Sequence, residues 1–119
     1  MPVLKEGEIV HIITRRQFES DAIRHFVGEV KAVSDTVARV RGYLFVYDMM
    51  KGHFVRRRNP RVRIVPLADS GTIVNVLPNN VDPDSLTYEI GDEEQLVLTD
   101  RKSFTYNLSE FGHYGNVGR

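Results

Sequence analysis

Five arginines fall within eight residues: Arg56, Arg57, Arg58, Arg61 and Arg63. A guanidinium is always charged, and its planar fork of N–H donors matches two phosphate oxygens at once. That density of charge is chemistry for holding a polyanion. Upstream, Arg39, Arg41, Tyr43, Phe45 and Tyr47 recur at every second position. At strand spacing all five face one side of a sheet. Arginines that neutralise phosphates, interleaved with rings that stack on bases, suit single-stranded nucleic acid. Each stacked base would contribute roughly 1–3 kcal/mol. The candidate nucleic-acid-binding set is therefore Arg39, Arg41, Tyr43, Arg56, Arg57, Arg58, Arg61 and Arg63.

A second reading uses the same residues structurally. Phe45 and Tyr47 then belong to a second small core under the C-terminal part of the chain, with arginine stems covering its rim. The later five arginines meet the acids Asp82, Asp84, Asp92, Glu93 and Glu94. Alternation also divides those five. Arg56 and Arg58 fall on one face and Arg57, Arg61 and Arg63 on the other, unless Asn59-Pro60 reorients the strand.

Nothing in the sequence argues for catalysis. The four histidines, His11, His25, His53 and His113, lack the spacing of a metal site, and each reads as a surface or core histidine. Asp92-Glu93-Glu94 lacks the alternating oxygen ligands of a Ca²⁺ loop. Neither a Gly-rich phosphate cradle nor a nucleophile elbow occurs. No enzyme activity, cofactor or metal is expected.

The elements that must carry these residues are strands, because the dominant period is two. Residues 8–16 are rich in β-branched side chains, with apolar residues at odd and even positions alike, as in a strand covered on both faces. Residues 17–25 are polar and read as a loop or one helical turn. Residues 26–33 form the next strand, with Phe26, Gly28, Val30 and Ala32 on one face. The longest strand, 37–47, turns Ala38, Val40, Gly42, Leu44 and Val46 to one side and the Arg/aromatic row to the other. Gly28 and Gly42 mark a bend or a close backbone approach. Residues 54–65 return as a strand interrupted at Asn59-Pro60, and 72–77 form a short strand. Two prolines and several Asn/Asp make 78–85 the main loop. Strands at 86–90 and 95–99 flank a hairpin signature at 91–94, and 104–108 is a last strand.

The chain has 119 residues and no cysteine. That length suits one domain, and the missing thiols exclude a disulfide scaffold. A cytoplasmic protein is expected, with no export signal and no membrane span. Net charge is zero, yet residues 1–65 hold 13 Lys/Arg against 7 Asp/Glu, and residues 66–119 hold 3 against 9. Such a split points to a polyanion partner or to self-association of opposite halves.

The order Gly7–Val10, then Phe26-Val27-Gly28-Glu29-Val30, then Asp35 and a long strand, resembles the first motif of the Sm-like family over about residues 5–78. Asp35 is seventh after Gly28, where that family's Asp is sixth. Its Met-Asn pair falls on Ala38 and Arg39, and its second-motif Arg-Gly has no counterpart in Ile73-Val74-Asn75-Val76-Leu77-Pro78. The resemblance implies a strongly bent, open, five-stranded barrel that assembles through its edge strands into homo-oligomeric rings and binds RNA. An SH3-like barrel accounts for the same pattern. The expectation is thus an all-β protein: a small, strongly bent antiparallel Sm-like or SH3-like barrel over 5–78, a β-rich extension over 79–111 and a flexible tail over 112–119. Its expected role is RNA binding as a homo-oligomer. The alternative is a structural or protein-interaction module whose basic first half docks on acidic surfaces, its own second half included.

Overall fold

β-Branched alternation draws most of the described residues into strands. A computed structural model describes residues 3–15, 23–69, 71–90, 96–102 and 104–107. These residues are almost entirely β: β1 (Ile9–Thr14), β2 (Arg24–Val33), β3 (Val37–Asp48), β4 (His53–Arg56), β5 (Arg61–Pro66), β6 (Thr72–Leu77), β7 (Thr87–Ile90), β8 (Leu96–Thr99) and β9 (Thr105–Asn107). One 3-10 turn, Pro83–Ser85, is the only helical element among the described residues. No helix there is long and apolar enough to cross a membrane. The chain divides into two compact units, Met1–Pro83 and Asp84–Arg119, and the division falls inside the loop expected over 78–85.

In the first unit the strands run β4-β3-β2-β1-β6, all antiparallel, with β5 also paired to β3. β3 is long enough to take two partners: residues 45–48 pair with β4 and 37–42 with β5. The Asn59-Pro60 break lies between those partners, because proline has no N–H for the ladder. Across it, the N–H of Arg57 donates to the carbonyl of Leu44 at 2.8 Å, so the chain stays beside β3. The turns follow local side-chain chemistry. Asp48 Oδ1 accepts the N–H of Met50 at 2.9 Å and of Lys51 at 3.2 Å, and Gly52 closes that turn at φ 72°. Ser34 Oγ accepts the N–H groups of Thr36 and Val37, both at 3.3 Å.

The sheet is curled. One core joins Val10 and Ile12 on β1, Phe26 and Val30 on β2, Ala38, Val40 and Leu44 on β3, and Val65 on β5. In a flat sheet β1 and β5 would stand about 14 Å apart, at roughly 4.8 Å per strand, too far to share a core. The curl has a sequence cause. Gly28 and Gly42 lie directly opposite each other. A Cβ on Gly28 would overlap the carbonyl of Arg41, and one on Gly42 the carbonyl of Val27. Only residues without side chains let the two backbones meet so closely. No ladder joins β6 to β5 among the described residues, so the curled sheet is open.

Two expectations are corrected. The polar segment does not reach His25, since β2 begins at Arg24. Ala32 does not continue the Phe26-Gly28-Val30 face either. The β2–β3 register shifts between Val30 and Ala32, a bulge that turns Ala32 outward and packs Val33 against the core. β1 behaves as its pattern predicts, with Ile9, Val10, His11 and Ile12 all buried.

In the second unit β7, β8 and β9 form a three-stranded antiparallel sheet, and β8 is buried throughout. The β8–β9 turn is tied by its own side chains. Asp100 Oδ1 accepts the N–H of Lys102 at 2.9 Å and of Phe104 at 3.0 Å, while the Thr99 hydroxyl donates to the Phe104 carbonyl at 2.8 Å. Glu89 and Arg101 form an ion pair. The hairpin signature at 91–94, most of the segment 17–25 and the tail at 112–119 lie outside the described residues.

Candidate nucleic-acid interface

The eight sequence-selected residues do not form one surface. β3 divides them, because its alternate side chains leave opposite faces of the sheet. Arg39, Arg41 and Tyr43 lie on the face away from the Val10–Val40 core, and Arg56, paired to Phe45, shares that side. Arg39 and Arg41 are exposed there, next to Val62 and Ile64, which are 61% and 58% exposed. Arg58 is exposed in the break between β4 and β5.

The aromatic part of that face is not a wet platform, which corrects the stacking expectation. Phe45 is only 2% exposed, and Tyr43 and Tyr47 are half-buried. The Arg56 guanidinium lies 3.9 Å from the centre of the Tyr43 ring, a cation–π contact that occupies one side of it. Tyr47 packs edge-on against Phe54 at 5.3 Å, and Phe54 lies against His25 at 4.8 Å. Phe45 therefore belongs to a second core, with Val27, Phe54, His11 and His25 all buried on this side of the sheet.

The two buried histidines are neighbours. Antiparallel pairing of β1 and β2 sets His11 and His25 diagonally on one face, with ring centres 5.2 Å apart and edge-on. The Asn75 amide donates to Nδ1 of His11 at 3.3 Å, which an unprotonated ring nitrogen accepts. Burial lowers His11 to about 4; burial, and then the charge of His11, lowers His25 to about 3. Both rings are thus neutral near pH 7. Sequence order hid this pair, which depends on the hairpin register. No three His, Asp or Glu side chains gather as a metal site among the described residues.

On the core side of the sheet, the remaining arginines converge. Arg57, Arg61 and Arg63 line an open groove of about 540 Å³ together with Arg24, over a floor of Leu44 and Val46. Register explains the gathering. Arg63 lies opposite Val40, Arg61 opposite Gly42 and Arg24 opposite Val46, so all three leave β3's core-facing side. The backbone bond to Leu44 holds Arg57 at the same level. The curl then closes the gap. The Arg63 guanidinium lies 5.6 Å from the Phe26 ring centre, although β3 separates their strands.

Among the described residues no Asp or Glu lines the groove, and none of its four arginines has an ion pair there. Partial burial lowers the Arg63 pKa from its ordinary value, and the nearby charges of Arg61 and Arg24 lower it further. Like charges are held together there at an energetic cost, the electrostatic character of an anion site. Arg24 escaped the sequence-based selection because it sat in the segment read as a loop. Extending the Phe26-Gly28 alternation back by two residues would have placed it on this face.

No protein-family model, curated protein or solved structure matches this chain.

Proposed function

We propose that this chain is a small β-sheet protein that binds RNA through the groove between β2, β3 and β5. The single observation that carries this reading is the convergence of Arg24, Arg57, Arg61 and Arg63 on one groove. Guanidinium groups crowded over an aliphatic floor form a mould for phosphates, since each fork accepts two oxygens and the floor keeps water from screening the charge. The resemblance of residues 5–78 to the Sm-like family agrees with such a ligand and with assembly of several copies. In support of assembly, β6 pairs only with β1 among the described residues, carries no charged side chain and exposes Ile73 and Val76. An edge of that kind is a template for another copy.

The test is fluorescence anisotropy of a labelled single-stranded RNA against salt. If each groove arginine neutralises one phosphate, log K falls against log salt with a slope of about −3. Arg57→Ser with Arg61→Ser should cut the slope to about half, because it removes two of the four contacts. Arg39→Ser with Arg41→Ser, on the other face, should leave it unchanged. Absence of binding at low salt overturns the proposal.

A second reading has its own observation, the exposed Val62 and Ile64 beside Arg39 and Arg41. Apolar side chains flanked by cations suit an acidic protein surface. Under that reading the Arg39/Arg41 pair abolishes partner capture and the groove pair does not.

A further inference from the structure

The four groove arginines converge on a short stretch of β3. Arg24 is paired to Val46, and the N–H of Arg57 is bonded to the Leu44 carbonyl, so both start at the level of the groove floor. Arg61 and Arg63 start further along the strand, opposite Gly42 and Val40. Yet the Arg63 guanidinium lies 5.6 Å from the ring centre of Phe26, the residue opposite Leu44, and both arginines line the groove with Leu44 and Val46. The lowered pKa of Arg63, from its partial burial and then from the charges of Arg61 and Arg24, agrees with guanidiniums held close together. The positive charge is thus focused over two residues that share one face of β3, a length of about 7 Å at strand spacing.

Successive phosphates within an extended strand stand about as far apart as that stretch is long, because one nucleotide repeat spans as many backbone bonds as two amino acids. An internal segment therefore sets only one or two singly charged phosphates before the four guanidiniums. In a linear triphosphate a single oxygen joins neighbouring phosphorus atoms, so the whole group fits the same stretch. Its terminal phosphate carries about 1.5 to 2 negative charges and each bridging phosphate adds one, which nearly matches the four cations. Its crowded oxygens also suit the paired N–H donors of each arginine. We infer that the groove is a site for a linear triphosphate, presented by the 5′ end of an RNA strand. This rests on the RNA-binding reading and narrows it from the backbone in general to the strand's end. The aliphatic floor of Leu44 and Val46 lowers the local polarity, and that strengthens the attraction between the two sets of charges.

The experiment compares three RNAs of one sequence, about 12 nucleotides long, labelled at the 3′ end and bearing a 5′-hydroxyl, a 5′-monophosphate or a 5′-triphosphate. Anisotropy on the full chain should show affinity rising in that order, with the triphosphate at least about tenfold tighter than the hydroxyl. Arg57→Ser with Arg61→Ser, both exposed positions, should bring the three within about threefold of each other while the far-UV spectrum keeps its β character. Arg39→Ser with Arg41→Ser, on the other face, should leave the difference in place. Three equal dissociation constants for the unmodified chain overturn the inference, and so does a triphosphate preference that survives Arg57→Ser with Arg61→Ser. Either result leaves the RNA-binding proposal intact. Free guanosine triphosphate, added as competitor, separates the two sources of the group. It should displace the 5′-triphosphate RNA only at concentrations more than about tenfold above that RNA's dissociation constant, because the strand adds its own phosphate contacts. Displacement at a concentration equal to that constant keeps the triphosphate site and overturns RNA as its carrier. If none of the three RNAs binds, the RNA-binding proposal itself falls, and this inference with it.

Discussion

The His11–His25 pair gives the first unit a built-in sensitivity to acid. Unfolded, both rings titrate near 6.5; folded, burial holds His11 to about 4 and His25 to about 3. Between those values the unfolded chain binds more protons than the native one. Stability is therefore full above about pH 7 and falls as pH drops through 6.5, at up to about 1.4 kcal/mol per pH unit for each ring. Denaturant titrations should show a loss of about 2 kcal/mol between pH 6 and pH 5. His25→Phe, which keeps a ring against Phe54, should remove roughly half of that dependence. A carboxylate cannot imitate this window. Asp100 is held below its ordinary value by the backbone N–H of Phe104 and then of Lys102. Its contribution is present above the ordinary carboxylate range and is lost only as pH falls through the depressed value. Stability that stays flat from pH 7 to pH 5 would show that the pair is not buried in solution.

At the level of elements, the groove is held together by the curl and opposed by its own charge. Gly28 and Gly42 let β2 and β3 approach closely enough for the sheet to curl, and the curl brings Arg63 from β5 over Phe26 on β2. The core thus holds Arg24, Arg61 and Arg63 nearer than their charges favour. Functional sites commonly carry such a penalty, and relieving it stabilises the fold at the cost of binding. Arg61→Ser should accordingly raise the melting temperature in low salt while weakening RNA binding. The gain should shrink as salt screens the repulsion. A lower melting temperature for Arg61→Ser, with binding unchanged, would mean that Arg61 serves the fold and not the site. Added RNA should stabilise the unmodified chain by mass action, by about 2.7 kcal/mol at a free concentration a hundredfold above its dissociation constant.

Over the whole molecule, charge follows the division into units. Met1–Pro83 holds 13 basic and 9 acidic residues, and Asp84–Arg119 holds 3 and 7. A net charge of zero thus hides a basic unit that carries the groove and an acidic one that does not. Under the proposed self-association, opposite charges would draw copies together at low ionic strength, and the uncharged β6 edge would offer backbone groups for them to pair with. Light scattering should give a mass above 13.6 kDa at low salt. If edge pairing is the main contact, raising salt should change the mass little, whereas Ile73→Lys with Val76→Lys should shift it toward the monomer. If charge attraction dominates, salt alone should dissociate the assembly. A monomer at every salt and protein concentration would remove self-association from the account.

Much of this architecture was legible in the residues, because the physics behind it is local. Period-two alternation placed β1 to β9 within a few residues of their observed bounds. Asn59-Pro60 announced the break between β4 and β5. Alternation also separated Arg57, Arg61 and Arg63 from Arg56 before any coordinates were needed. What the chain alone left open was long-range. The bulge after Val30 reversed Ala32, a second core took Phe45 from the solvent, and hairpin register joined His11 to His25. Arg24 entered the site only once the curled sheet drew β5 toward β2. A strand pattern states which side a residue faces; which sides then meet depends on how closely two distant backbones pass, and that was decided by the absence of side chains at Gly28 and Gly42.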